Sequence, residues 1–391
     1  MNVNLIRLID KKDIILRNED DLLLEDIAEQ MMEEDITLLE GVKDSPIDVI
    51  LVESDNVSKE LEKHLKKLNK YVYLMTFCKS RSYGEALTIF NYLNKKKYNI
   101  LFDDDPLHQL KGILPTYIDI SRVKKDIHGK NLGQFVLGEE SPLVTPVNTG
   151  KINNELGINI IKIGKEELFK EYRKSKIGNP PHLLKMKKMV KNSTALNRSL
   201  YLYNAIRTLV DKYQLVGITL DDEVIKKELG ISSSLALSLL NEENIVAVKR
   251  NDIPTLLTCY LAYLLNGRIP FVVEPLNSNY EEKLLSVRAD YPPLNQVKSY
   301  EIVNPHDQML EINCEINLGE ASLLKIASDC AHFYTISVEI KEAIDDNISL
   351  LVDEVPLFSF IRDAAERQLV LASQDISVQY SALLNYLEIN K

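Results

Sequence analysis

Two arginines, Arg250 and Arg288, are the residues whose type could do the most specific chemistry in this chain. A guanidinium is planar and always protonated, so a pair of them forms a fork that suits phosphate or carboxylate. Its desolvation is tolerable only beside such a partner. The alternative lies in the same segments, because each arginine can pair with Asp252, Asp290 or another acid of the chain. Convergence of the two on an open cleft would favour an anion clamp, and salt-bridged burial a structural role. Other candidates are thinner. Ser232-Ser233-Ser234 opens a helical pattern and could hold a phosphate on exposed N–H groups, although capping the helix is the simpler role. Asp103-Asp104-Asp105 before Pro106 could bind a cation but reads more simply as a helix cap and a solvated loop. His306, in Asn304-Pro305-His306, reads as a turn residue. The run Lys185–Lys191 reads as a solvated lysine-rich linker and helix start. No Walker motif, dinucleotide-binding glycine fingerprint or serine-hydrolase elbow occurs, which leaves nucleotide-dependent and serine-hydrolase readings without support.

Composition narrows the classes further. Hydrophobic residues make up 45% of the 391 residues and charged residues 27%, as in an ordinary globular protein of more than one domain. Fifty-eight acidic against forty-seven basic residues give a net charge of −11, which argues against general nucleic-acid affinity. Cys78, Cys259, Cys314 and Cys330 are far apart and form no C-x-x-C pair, so neither a zinc ribbon nor a disulfide framework is expected. No apolar run approaches the ~20 residues a bilayer needs. The N-terminus lacks the pattern of a signal peptide, and a cytoplasmic address is expected.

Strand and helix patterns position these residues. Strands at 3–9, 48–52, 71–77 and 99–102 alternate with helices at 22–32, 59–68 and 84–93, which predicts a parallel sheet covered by helices. Gly129–Gly133 reads as a boundary, with strands restarting at 134–138 and 158–163. A long helix over 195–213 follows, then a strand at 216–220, helices at 222–229 and 232–240, a strand at 245–249 and a helix over 253–265 stopped by Asn266-Gly267. Pro270–Val273 reads as a last parallel strand closing a second sheet. After Pro275 the runs 298–303, 308–316, 320–328, 333–341 and 348–352 alternate as antiparallel β-structure does. Helical signals at 356–365 and 378–387 flank a strand at 369–372. The expected fold is α/β: two Rossmann-like doubly wound parallel-sheet domains, 1–130 and 131–274, followed by a β-rich antiparallel C-terminal domain, 275–391.

Two segments carry a family resemblance. ISSSLALSLLNEENIVAVKRNDIPTLLT, from Ile231 to Thr258, resembles the stretch that fucose/arabinose isomerase-like proteins write as TGCLALSLLN, then a CEGD tetrad, then PALLT. LSVRADYPP, from Leu285 to Pro293, is similar to the family's LAHC followed by one or two prolines. Weaker echoes lie in Leu132–Ser141, which resembles the strand that opens the second domain with a glycine and a serine, here Ser141, and in Gly319–Ile326. The likeness covers most of the chain from about Tyr71 and is specific between about Thr219 and Pro293.

The resemblance implies a carbohydrate-related protein of sugar-isomerase fold. Members of the family interconvert aldoses and ketoses with a divalent metal, commonly Mn²⁺, in a cleft at the domain junction. Moving a proton between C1 and C2 needs a general base beside a carbonyl polarised by a hard cation. By this likeness Asp221 or Asp222 keeps one acidic ligand, Arg250 replaces another, Asp252 matches the end of the tetrad, and Arg288 replaces a ligand histidine. The near-C-terminal histidine motif aligns with Glu366-Arg367-Gln368, which contains none, and His306 aligns with a histidine that could touch ligand. An arginine has no lone pair for a metal. Two such charges within ~4–6 Å of the metal position would repel a dication by several kcal/mol at an effective dielectric near 20.

Three readings follow. In the first, the protein has lost its metal site and persists as a binding or structural subunit, with no cofactor. In the second, Arg250 and Arg288, with Asn251, Asp290, His306 and Ser141 around the substrate, grip a phosphorylated or acidic sugar. In the third, an active isomerase uses Asp221, Asp222, Asp252 and Asp290 with Mn²⁺ in an altered site. The expected partners are a small sugar, sugar acid or sugar phosphate and further subunits, as a homo-oligomer (trimer or hexamer) or a heteromer with an intact homologue; nucleic acid and membrane are not expected.

Overall fold

The computed structural model describes residues 2–9, 18–33, 36–43, 45–76, 82–104, 106–138, 147, 149–177, 183–191, 193–279, 281–306, 309–330, 332–344, 347–352, 368–387 and 389. The chain is mixed α/β and forms two compact units, Met1–Lys125 and Asp126–Lys391.

In the first unit the elements run β1 (Asn2–Leu8), α1 (Asn18–Glu33), β2 (Thr37–Glu40), β3 (Asp48–Val52), α2 (Ser58–Leu65), β4 (Tyr71–Met75), α3 (Tyr83–Lys95), β5 (Asn99–Asp103) and α4 (Pro106–Ile127), which reaches the end of the unit. The strands form a parallel sheet of order β2-β1-β3-β4-β5. Every residue of β3 is buried, as a strand covered on both faces must be. Ile50 and Val52 of β3 and Val72 and Leu74 of β4 pack with Leu61 of α2 and with Ala86, Ile89 and Leu93 of α3.

The second unit begins with β6 (Asn131–Val136), α5 (Thr149–Leu156), β7 (Asn159–Gly164), α6 (Lys165–Lys174), α7 (Leu183–Met189), α8 (Ser193–Tyr213), β8 (Leu215–Leu220), α9 (Asp222–Leu229), α10 (Ser234–Glu242), β9 (Val246–Lys249) and α11 (Ile253–Asn266). Its parallel sheet has the order β7-β6-β8-β9. The strand expected to restart at 134 begins earlier, at Asn131 within the run 129–133, as β6. Gly133 lies inside that strand because a Cβ there would sit 2.6 Å from Leu215 Cδ1 on β8. The helix α11 stops where Asn266-Gly267 was expected to stop it, the Gly267 N–H bonding to Tyr263 O at 2.7 Å.

After α11 come β10 (Phe271–Asn279), β11 (Leu284–Arg288), β12 (Ser299–His306), β13 (Met309–Glu315), β14 (Gly319–Ile326), β15 (Phe333–Ile344), β16 (Asn347–Val352), β17 (Leu369–Ala372) and α12 (Ser377–Tyr386). Six of these strands close an antiparallel barrel of order β10-β11-β16-β15-β14-β17, and β12 pairs with β13 in a separate hairpin. The segment Pro270–Val273 is therefore not a last parallel strand. Phe271–Val273 pair antiparallel with Leu369–Leu371 of the barrel. The buried first half of β10, Phe271–Glu274, misleads because a short uninterrupted buried run reads like a parallel strand wherever it lies. The helix α11 packs against β8 and β9 of the sheet and also against β14 and β17 of the barrel, so sheet and barrel share one core. The helical signal at 356–365 lies outside the described residues.

Candidate functional site

The carboxyl ends of β8 and β9 and the hairpin of β10 and β11 bring the sequence candidates into one region of the second unit. Asp221 follows β8 and caps α9, accepting a hydrogen bond from the Glu223 N–H at 3.0 Å. Its neighbour Asp222 turns the other way and is buried. One Asp222 oxygen accepts the Ser233 N–H at 2.7 Å and the Ser233 hydroxyl at 2.5 Å. The other lies 3.1 Å from Lys226 Nζ and 3.7 Å from Lys249 Nζ. Burial pushes the Asp222 carboxyl up, but the Lys249 charge and the Ser233 hydrogen bonds outweigh it and hold the group below the usual carboxylate range. The serine cap expected at 232–234 takes a different form. Ser233 makes no side-chain cap bond to α10; Ser232 Oγ accepts the Ser234 N–H at 3.2 Å, and the Asp222 carboxylate receives the Ser233 donors.

Lys249, the last residue of β9, is the centre of the cluster and is the residue that sequence reasoning missed. Its side chain is 7% exposed. Nζ donates to Ser234 Oγ at 2.8 Å, lies 3.6 Å from Asp290 and sits 5.1 Å from the Tyr291 ring centroid. The Tyr291 hydroxyl accepts the Lys249 N–H at 3.2 Å and a Gln368 amide hydrogen at 3.0 Å. Burial pushes the Tyr291 phenol well above its ordinary value, so it stays protonated. Gln368 Oε1 is buried with no hydrogen-bond partner among the described residues.

The arginines do not converge unpaired. Arg250 follows β9 in the left-handed region, φ 70°, and Asn251 does the same at φ 57°. Side chains disfavour this conformation; asparagine tolerates it better than arginine does. Arg250 reaches Glu274 on β10, with Nε and Nη2 at 2.8 and 2.7 Å from the same carboxylate oxygen. Asn251 donates its N–H to Leu220 O at 3.2 Å, and its buried Oδ1 has no hydrogen-bond partner among the described residues. Arg288 lies opposite Glu274 in the hairpin register, and its Nε stands 2.8 Å from Asp290 at an ion-pair distance without hydrogen-bond alignment. Asp290 is thus shared by Arg288 and Lys249.

Asp252 belongs to a second cluster. It caps α11 by accepting the Thr255 N–H at 2.9 Å and the Thr255 hydroxyl at 2.5 Å. Lys325 of the barrel strand β14 is fully buried and stands 3.4 Å from Asp252 while donating to Thr255 Oγ1 at 2.7 Å. The sequence shows the cap, since an aspartate ahead of Ile253-Pro254 is a helix-start signal. It gives no sign of Lys325, which comes from a distant strand.

The remaining candidates stand apart. Ser141, Asp105, Cys78, Glu366 and Arg367 lie outside the described residues. His306 ends β12 opposite Met309, and its side chain is likewise outside them. Asp103 is not in a solvated loop: it is buried at the end of β5 and accepts the Tyr73 hydroxyl. Cys259, Cys314 and Cys330 are buried and form no disulfide among the described residues.

Two of the metal-ligand positions implied by the resemblance are arginines with carboxylate partners, and Asp221 and Asp252 are engaged as helix caps. Among the described residues no group of three or more His, Cys, Asp or Glu side chains is arranged to hold a metal ion. The donor set present does not fit Mn²⁺, because an ammonium and two guanidinium groups stand among its carboxylates. Among the described residues no helix is long and apolar enough to cross a membrane. No protein-family model matches the chain, and no curated protein matches it.

Proposed function

We propose that this chain is a sugar-isomerase-like, carbohydrate-related protein in which a metal site of the fucose/arabinose isomerase type has given way to internal salt bridges, and that it works as a binding or structural subunit. The observation that carries the reading is the pairing of every cation of the cluster with a carboxylate of the same unit: Lys249 with Asp222 and Asp290, Arg250 with Glu274, and Arg288 with Asp290. Lys226, 3.1 Å from both Asp222 and Glu223, adds with Glu223 one charge of each sign, so four positive groups meet four negative ones and leave no net negative charge to attract a dication. Two sheets with the same 2-1-3-4 start to their strand order, followed by antiparallel structure, are compatible with two Rossmann-like doubly wound domains ahead of a β-rich one. Assembly as a homo-oligomer, or with an intact homologue, and a cytoplasmic location belong to the same proposal.

One observation favours a second reading, the clamp for a phosphorylated or acidic sugar. The side chains of Arg250 and Arg288 keep 30% and 39% of their surface exposed, whereas that of Lys249 keeps 7%. An incoming anion could exchange with Glu274 or Asp290 at such forks.

One experiment separates these readings. Chelator-stripped protein is melted against increasing Mn²⁺ and, in parallel, against inorganic phosphate, since a ligand of the native state raises Tm by mass action. The subunit reading expects neither to shift Tm. A saturable rise with phosphate that Arg288→Ala abolishes favours the clamp, and a saturable rise with Mn²⁺ overturns the loss of the metal site.

A further inference from the structure

The misfit between this donor set and a divalent metal has a positive side. Asp222 heads α9, Asp290 follows β11, and both carboxylates approach the end of β9. Asp222 is buried and Asp290 is 24% exposed at the side chain. Holding two carboxylates in a partly dehydrated site costs several kcal/mol per ion unless a cation lies between them. Lys226 stands 3.1 Å from Asp222 and Arg288 2.8 Å from Asp290, but the one cation among the described residues that reaches both acids is the Lys249 ammonium, at 3.7 and 3.6 Å, with Ser234 Oγ at 2.8 Å and the face of the Tyr291 ring nearby as a further attractive surface. Oxygens on several sides and an aromatic face form a cation site, and the chain fills it from its own strand.

We propose that Lys249 is a tethered cation, which loads the Asp222, Asp290 and Ser234 pocket without any ion from solution, and that removal of its ammonium opens the pocket to a small free cation. The inference deepens the proposed loss of the metal site and rests on that reading only for equating the pocket with the family's metal position. An alkylammonium is the best-matched guest, because it presents N–H donors to the oxygens that Lys249 now serves. Mn²⁺ is the second, since it would have to draw the oxygens closer than they stand around Nζ. A sugar reaching this pocket in the native protein would meet a fixed ammonium where a metal-dependent isomerase has an exchangeable ion.

The test uses the full chain with Lys249→Ala. Its melting is followed against ethylammonium chloride, against tetramethylammonium chloride at equal ionic strength, and against Mn²⁺, with the native protein beside it. The expected result is a variant that melts below the native protein and regains Tm saturably with ethylammonium. Tetramethylammonium, which has no N–H, leaves it unchanged, and the native protein responds to neither ammonium ion. A folded variant indifferent to both ethylammonium and Mn²⁺ overturns the proposal. Should the variant fail to fold, the triple variant K249A/D222N/D290N, which removes the anions along with the cation, is expected to fold; its failure shows that Lys249 acts through packing and also overturns the proposal. A native protein stabilised by Mn²⁺ sinks the lost-site reading instead, and the ethylammonium result on the variant still judges the tethered cation by itself.

Discussion

At the scale of single residues, the cluster shows that a charge in a sequence is half a statement. Arg250 and Arg288 are visible in the sequence as fixed charges, and pairing with an internal acid was one of their two expected fates. Arg288 pairs with Asp290, two positions on in the sequence, whereas Arg250 finds Glu274, which no local pattern connects to it. Asp222 offers the clearest measurement at this scale. Its folded-state carboxyl titrates below the ordinary aspartate value of about 4, so it contributes stability that is full above that value and lost as pH falls through the folded one. Asp222→Asn is expected to lower stability at neutral pH by about 1–3 kcal/mol, the usual worth of hydrogen bonds to a charged group. Urea unfolding between pH about 2 and 7 should show the gap between native and variant constant above about 5 and shrinking below about 4. A gap unchanged down to the lowest pH would show that the Asp222 charge is not its source.

At the scale of elements, strands and helices were legible wherever local chemistry decides them. The strand at 48–52, the helix at 222–229 and the strand at 369–372 lie where their patterns put them, and the aspartates at 221 and 252 cap helices as that residue type does best. The failures are as local. Gly133 falls just outside the strand expected at 134–138, yet it lies within β6, where its smallness lets the strand pass Leu215. Gly217 in β8 meets a harder constraint, since a Cβ there would stand 2.9 Å from the Val246 backbone oxygen and 3.1 Å from Leu256 Cδ1 of α11. Backbone cannot yield as a side-chain tip can, so Gly217→Ala is expected to cost about 1–3 kcal/mol, read as a lower urea midpoint at unchanged m. Loss below 0.5 kcal/mol, within the range of ordinary surface substitutions, would mean that β8 and β9 separate more easily than their pairing suggests.

For the whole molecule, the division at Lys125 and Asp126 predicts separable unfolding. Calorimetry of the full chain should resolve two transitions, and Gly217→Ala, in the second unit, should lower one and leave the other in place. A single transition that moves as a block would show the two units to be one cooperative body. By itself the sequence determined what short-range physics determines: the parallel α/β pattern of the first half, the antiparallel texture of the last third, the stop of α11 at Asn266-Gly267, and the presence of arginines that cannot ligate a metal. Only the tertiary structure decided that β10 joins the barrel and not the second parallel sheet, because a short uninterrupted buried run such as Phe271–Glu274 reads the same in either place. Only it decided, too, which acid faces which base. Lys249 at the end of one strand, Asp290 beyond another and Lys325 on a third are brought to their partners by strand order and register, and a counter-ion is chosen by distance in space, which no spacing along the chain encodes.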